Sequence, residues 1–117
     1  MSDTAPAIEQ VTAEDAARMI DEGAFLLDVR EPDEWQAGHA PSASHLPLAQ
    51  LAAGHEGLLP RDNRIVAVCR AGGRSQRAAV ALVEAGYDVV NLAGGMQAWA
   101  AAGQPVVTDA GDDGQVI

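Results

Sequence analysis

The chain has 117 residues, room for one domain with a single core and little more. Its formal net charge is −10, from 17 acidic residues against seven arginines and no lysine, which argues against nucleic acid or an anionic membrane as a partner. No apolar run approaches the roughly 18 residues of a membrane span, and the acidic first ten residues lack the basic-then-apolar order of a signal peptide, so a cytoplasmic location is expected.

Residues 1–7 read as a loose, flexible tail, and one domain is expected over residues 8–103. Thr12, followed three positions later by Asp15, has the form of a helix N-cap with an acidic first turn; the helix should end near Glu22, with Gly23 just beyond. Residues 25–29 predict a short buried strand, and Asp33 to Gln36 one helical turn after Pro32. Residues 38–47 are turn-rich, with a short strand near residues 44–46, and residues 48–53 suggest a small helix. Residues 65–68 (IVAV) predict a strand that ends at Cys69. Arg70 to Arg74 form a tight loop with two glycines. Residues 75–85 predict a helix, with Ala79, Leu82 and Val83 on one face and Gly86 as its stop. Residues 88–92 read as another buried strand, Gly94-Gly95 as a turn and residues 96–102 as a last helix. Residues 104–117 are acidic and glycine-containing, the composition of a mobile tail. Strands alternating with helices imply an α/β domain with a parallel sheet covered on both faces. The reactive crevice of such a sheet lies at the carboxyl ends of its strands, where both Cys69 and Arg30 fall.

Cys69 is the only cysteine, so it forms no internal disulfide and builds no zinc site by itself. His39, His45 and His55 have no ligand-like spacing, and neither a metal nor a cofactor is expected. Three readings of Cys69 stand: a buried small apolar residue, a thiol of no consequence, or a reactive nucleophile. Its neighbourhood favours the third. Arg70, Arg74 and Arg77 lie beside it within eight positions. A strand delivers the cysteine to the sheet edge, a glycine-rich loop follows, and a helix begins. Backbone N–H groups of such a loop form an anion-binding nest, and the helix start adds unpaired N–H groups and the positive end of its dipole. Gly72 and Gly73 suit backbone angles that a β-carbon penalises. Arg70 and Arg74 add full positive charge. Each of these favours the thiolate, which is the nucleophilic form. The plainer alternative is that the glycines only turn strand into helix and the arginines are solvated.

The run Cys69-Arg-Ala-Gly-Gly-Arg-Ser75 resembles the active-site loop of the rhodanese family. Residues 26–35 (LLDVREPDEW), 38–47 (GHAPSASHLP) and 92–99 (LAGGMQAW) resemble, in the family's order, two upstream boxes and its C-terminal signature. The resemblance implies a five-stranded parallel sheet flanked by helices on both faces. It also implies that Cys69 takes a sulfane sulfur as a persulfide, cradled by backbone N–H groups from Arg70, Ala71, Gly72, Gly73, Arg74 and Ser75. The donor would be thiosulfate or a similar small molecule, and the acceptor cyanide, a thiol or a protein. Arg70 stands where thiosulfate-using members carry arginine; Ala71 stands where some carry lysine. Asp28 and Arg30 would pair and brace the site's floor, with a scaffold role as the alternative for each. Ser42, Ser44 and His45 depart from the residues usual in the second box. His39 is either a general base or, from its place in that box, a structural hydrogen-bonding residue. Trp35 and Trp99 pack the core or line the rim.

Cysteine phosphatases and arsenate reductases share this architecture, but the related phosphatases have five residues between cysteine and arginine. Here four separate Cys69 from Arg74, and a shorter ring of N–H groups suits a single sulfur atom better. A non-catalytic binding module and a sulfur carrier with little thiosulfate activity remain as rivals.

Overall fold

The computed structural model describes residues 5–117. The expectation of a loose amino-terminal tail falls in part on residues 1–4, outside the described residues. Among the described residues five strands and five helices alternate: β1 (Gln10–Val11), α1 (Ala13–Asp21), β2 (Phe25–Asp28), α2 (Pro32–Ala37), β3 (Ser44–His45), α3 (Leu48–Ala53), β4 (Ile65–Val68), α4 (Gly73–Glu84), β5 (Val89–Leu92) and α5 (Gly95–Ala101). All strand pairings are parallel, in the order β1-β5-β4-β2-β3. From β4 the chain crosses to β5 on one side, and from β2 it crosses to β3 on the other. The gap between the carboxyl ends of β2 and β4 is therefore the point where the winding reverses, the usual place for a site in an open α/β sheet.

Strands β4 and β5 are buried at every position, as central parallel strands are. Alternate residues divide the core. Leu27, Ile65, Ala67, Cys69 and Val89 face α3 and α4 with Leu51, Ala78 and Leu82. Leu26, Val66, Val68, Val90 and Leu92 face α1 and α5 with Ala16, Met96 and Trp99. The Thr12 side chain caps α1 by accepting from the Asp15 N–H at 3.1 Å. Strand β1 has no pattern in the sequence because two residues carry none; pairing with β5 defines it, Gln10 opposite Asn91.

Two differences from expectation bear on the site. Helix α4 begins at Gly73, two residues earlier than the apolar pattern suggests, because Gly72 at φ 111° takes the left-handed conformation and acts as N-cap. Gly73 itself has an ordinary φ and open space where a β-carbon would stand. The second difference is the segment 104–117, expected to be mobile. His39 and Val107 exchange backbone hydrogen bonds at 2.9 and 2.8 Å, Gln115 N–H donates to the Ala37 carbonyl at 2.8 Å, and Gly114 N–H to that of Val106 at 2.8 Å. Trp99 Nε1 donates to the Pro105 carbonyl at 2.8 Å. The segment is a hairpin clamped to the end of α2. Ala37 and His39, which clamp it, lie some seventy positions away or more, so its composition carries no trace of them.

Gly95 sets the contact between α5 and the loop after β4. Its φ is 60°, and a β-carbon there would run into the Cys69 carbonyl and stand 2.6 Å from the Arg70 carbonyl group. Gly95→Ala should therefore destabilise the fold by at least about 1–3 kcal/mol, whereas Gly73→Ala should change stability by no more than about 0.5–1 kcal/mol and in the stabilising direction. Denaturant unfolding of the two variants checks the contrast.

Candidate active site

Cys69 follows β4 directly and points to the α4 side of the sheet. Its carbonyl accepts from Met96 N–H at 2.8 Å, and that of Arg70 from Gln97 N–H at 3.0 Å, both at the start of α5. The Gly72 carbonyl accepts from Gln76 N–H and Asn91 Nδ2, each at 3.2 Å. A trans peptide holds its N–H and C=O in one plane, pointing in opposite directions. Turning the Arg70 carbonyl out toward α5 thus turns the Ala71 N–H in toward the sulfur. Gly72 N–H donates to Cys69 Sγ at 3.1 Å, and the Ser75 hydroxyl lies 3.3 Å from it. Burial pushes the thiol pKa up. The Ser75 hydroxyl and the backbone N–H groups of Ser75, Gly72 and Ala71 outweigh burial and hold it below the ordinary cysteine value.

Ser75 is itself held. Its hydroxyl lies 2.6 Å from Asn91 Oδ1, on the buried β5. Asn91 Nδ2 donates to Gln10 Oε1 at 2.9 Å as well as to the Gly72 carbonyl, so one amide joins the loop to β5 and the edge strand β1. The role of Asn91 was legible only as a polar residue inside an apolar strand, and that of Gln10 not at all.

The two arginines differ. Arg70 Nε donates to the main-chain oxygen of Ile117 at 2.9 Å. Arg74, expected to offer its charge to an anion, makes a bidentate pair with Glu34 of α2 at 2.6 and 2.9 Å. The Arg74 bond lowers the Glu34 pKa to about 2 against an opposing effect of burial, and the same bond raises that of Arg74. Arg74 therefore anchors the loop to α2, with most of its charge offset. Nothing near Glu34 in the sequence marks it as a partner for Arg74. Cys69, Arg70, Ala71, Gly73, Arg74 and Arg77 line an open cleft of about 490 Å³.

Asp28 and Arg30 form a fully buried bidentate pair, with Nε 2.9 Å from Oδ1 and Nη2 2.8 Å from Oδ2. Arg30 Nη2 also donates to the Gly38 carbonyl at 2.8 Å. Asp28 is in register with Val68, on the sheet face opposite Cys69, and neither residue lines the cleft. They fix the turn after α2. His39 is buried, with Nδ1 2.8 Å from the Trp35 carbonyl, and stacks on the Trp35 ring at 3.6 Å. His45 stacks on the other face of Trp35 at 4.7 Å and places Nε2 2.7 Å from the Arg30 carbonyl. Both histidines occupy structural positions. Trp99 is buried beneath α1.

Residues 12–102 match the rhodanese-like domain. The chain belongs to the rhodanese family. It is 40% identical over 91 residues to a sulfurtransferase of Allochromatium vinosum, a match that covers 77% of this chain and 84% of that protein. A rhodanese-related protein of Thermoplasma volcanium superposes with a TM-score of 0.79 at 32% identity, over 85% of this chain and 97% of that one. Thiosulfate sulfurtransferase of Pseudomonas aeruginosa gives 0.74 at 28% identity, over 90% of this chain but only 20% of that longer one. The expected five-stranded parallel rhodanese fold is thus the observed one, and sulfur transfer is the role that membership supports. Among the described residues, no helix is long and apolar enough to cross a membrane.

Two pH effects follow from these contacts. Ser75→Ala removes a group that lowers the Cys69 pKa, so the fall in the rate of Cys69 alkylation by iodoacetamide on acidification should move to higher pH. Glu34 has a folded pKa of about 2 against an ordinary 4.5, so its stabilising effect is complete above pH 4.5 and is lost as pH falls toward 2. Glu34→Gln should lower stability at neutral pH and flatten its pH dependence between those values, as acid-titrated urea unfolding would show.

Proposed function

We propose that Cys69 moves a sulfane sulfur from thiosulfate, or a donor of the same kind, to a thiol or cyanide. The observation that carries this reading is the convergence of short-loop N–H groups and the Ser75 hydroxyl on one sulfur atom. The Cys69 thiolate attacks the outer sulfur of thiosulfate; a sulfur–sulfur bond forms, the bond to the sulfonate sulfur breaks, and its electron pair leaves with sulfite. The acceptor then attacks the outer sulfur of the persulfide, and the Cys69 thiolate departs. Two half-reactions through one covalent intermediate give ping-pong kinetics. The same N–H groups that hold the thiolate reach a persulfide, whose outer sulfur also carries negative charge.

No side-chain carboxylate pairs with Arg70 or Arg77 among the described residues, and Arg70, next to the nucleophile, is the group we assign to the donor's sulfonate. Four residues between Cys69 and Arg74 close the ring too tightly for a tetrahedral phosphate to sit among the N–H donors. The openness of the cleft also favours a second reading, a carrier that accepts its sulfur from, or delivers it to, a protein persulfide.

Intact mass spectrometry after incubation with thiosulfate, with mercaptopyruvate and with no donor tests the reading. Thiosulfate should add the mass of one sulfur to the wild-type chain and nothing to Cys69→Ser, and cyanide should remove it. Turnover of a phosphate monoester in place of sulfur transfer would reverse the assignment. A chain that stays unloaded by both small donors but is loaded by a protein persulfide would establish the carrier.

A further inference from the structure

The Ser75 hydroxyl has one proton and two acceptors in reach: Asn91 Oδ1 at 2.6 Å and Cys69 Sγ at 3.3 Å. Which end of the Asn91 amide faces Ser75 follows from its other contacts. Its nitrogen stands 3.2 Å from the Gly72 carbonyl, which only accepts, and 2.9 Å from Gln10 Oε1. Gln10 is fixed in turn, because its Nε2 donates to the Ile8 carbonyl at 3.1 Å and to Gln76 Oε1 at 2.7 Å. Asn91 Oδ1 is therefore an acceptor aimed at Ser75, and its bond is the shorter of the two. A thiol at Cys69 suits this state, since its S–H can donate to a free lone pair of Ser75 Oγ. A thiolate has no proton to give, and two acceptors then compete for one hydrogen. We propose that the Ser75 hydroxyl is a two-position donor, held on Asn91 while Cys69 is a thiol or a persulfide and turned onto Sγ when Cys69 is a thiolate. Asn91 is the positioning residue that sets this exchange.

Rotation about the Cβ–Oγ bond of Ser75 carries out the exchange, so neither the loop nor β5 has to move. The thiolate state gives up one neutral hydrogen bond at Oδ1, where Ser75 and Asn91 are both buried, and gains one to a charged sulfur. The N–H groups around Sγ are fixed by their peptide planes, whereas the hydroxyl can leave when the charge leaves. The charged groups facing Cys69 are Arg70, Arg74 and Arg77 of the cleft, with Glu34 behind Arg74. Elements α3, α5 and β5 carry no charged side chain, and the Asp28–Arg30 pair lies on the opposite face of the sheet. The exchange between Asn91 and Sγ involves none of these charges. In sulfur transfer the hydroxyl meets charge when the acceptor takes the outer sulfur and the electron pair of the sulfur–sulfur bond returns to Sγ. That consequence rests on the persulfide reading above; the exchange itself does not.

Asn91→Leu, and Asn91→Val as a smaller strand-forming replacement, remove the acceptor and leave Ser75 and every charged group in place. The Gly72 carbonyl keeps its bond from Gln76 N–H. With Sγ as the remaining acceptor, the midpoint of the pH profile of Cys69 alkylation by iodoacetamide should fall by about 0.5–1 pH unit, the worth of one neutral hydrogen bond. If Asn91 only braces the loop, its loss loosens the donors and the midpoint stays or rises, which overturns the proposal. In a Ser75→Ala background the Asn91 variants should not lower the midpoint, and a fall that persists there overturns the proposal as well. A measurement on the unaltered Asn91 covers failure of both variants to fold. The ¹³C signal of its side-chain carbonyl should titrate with the Cys69 midpoint, as the bond from Ser75 is lost, and should not do so in Ser75→Ala. A signal that stays flat in the wild-type chain, or that moves equally without Ser75, is the opposing result. Neither alkylation nor the ¹³C titration needs a sulfur donor, so failure of thiosulfate to load Cys69 is told apart from failure of the exchange.

Discussion

The site depends on the direction in which a few peptide planes face. Helix α5 takes the carbonyls of Cys69 and Arg70, and α4 with Asn91 takes that of Gly72. The plane of the Arg70 carbonyl also carries the Ala71 N–H, so holding that oxygen against α5 turns the Ala71 N–H inward to Sγ, where the Gly72 N–H also points. These donors stand in place before any substrate arrives, so negative charge on sulfur is stabilised without reorganisation of the loop. The requirement propagates outward. Gly95 must lack a side chain so that α5 can approach, Gly72 must take a left-handed conformation so that α4 can start, and Asn91 must be buried in β5 beneath both.

Charge is arranged by the same economy of position. In a chain of net charge −10, the three arginines at the cleft stand out against their surroundings. Glu34 of α2 largely offsets one of them and ties the loop to the sheet's other half, across the point where the winding reverses. The buried Asp28–Arg30 pair supports that arrangement from the opposite face by holding the turn after α2. Such a pair is costly to half-remove, because a single buried charge would remain. No side-chain carboxylate offsets Arg70 or Arg77 among the described residues, so Arg74 is the arginine whose charge the fold withdraws from the cleft, and the start of α4 adds its positive end there.

The second rhodanese box shows how departures from a family pattern are absorbed. His45 replaces a residue of different shape, and its ring stacks on Trp35 while its Nε2 meets the Arg30 carbonyl. His39 stacks on the other face of the same indole and shares two backbone bonds with Val107. This small stack links α2, the edge strand β3 and the hairpin of residues 105–117, three elements that bury little apolar surface of their own.

Every element except β1, their order along the chain, the parallel sheet and the loop that carries Cys69 were legible in the amino-acid sequence. These follow from short-range signals: apolar runs bounded by glycine, a cap at Thr12, and a cysteine placed between a strand and a helix. The tertiary structure alone decided which charges remain available at the site. Arg74 lies 40 positions from Glu34, Arg70 lies 47 from Ile117, and Asn91 lies 81 from Gln10. It also decided that residues 104–117 are clamped rather than loose, because backbone hydrogen bonding to a distant partner leaves no mark on composition. Local pattern reports what each segment can form, whereas pairing between segments depends on where the sheet brings them, and that is set only when the whole core packs.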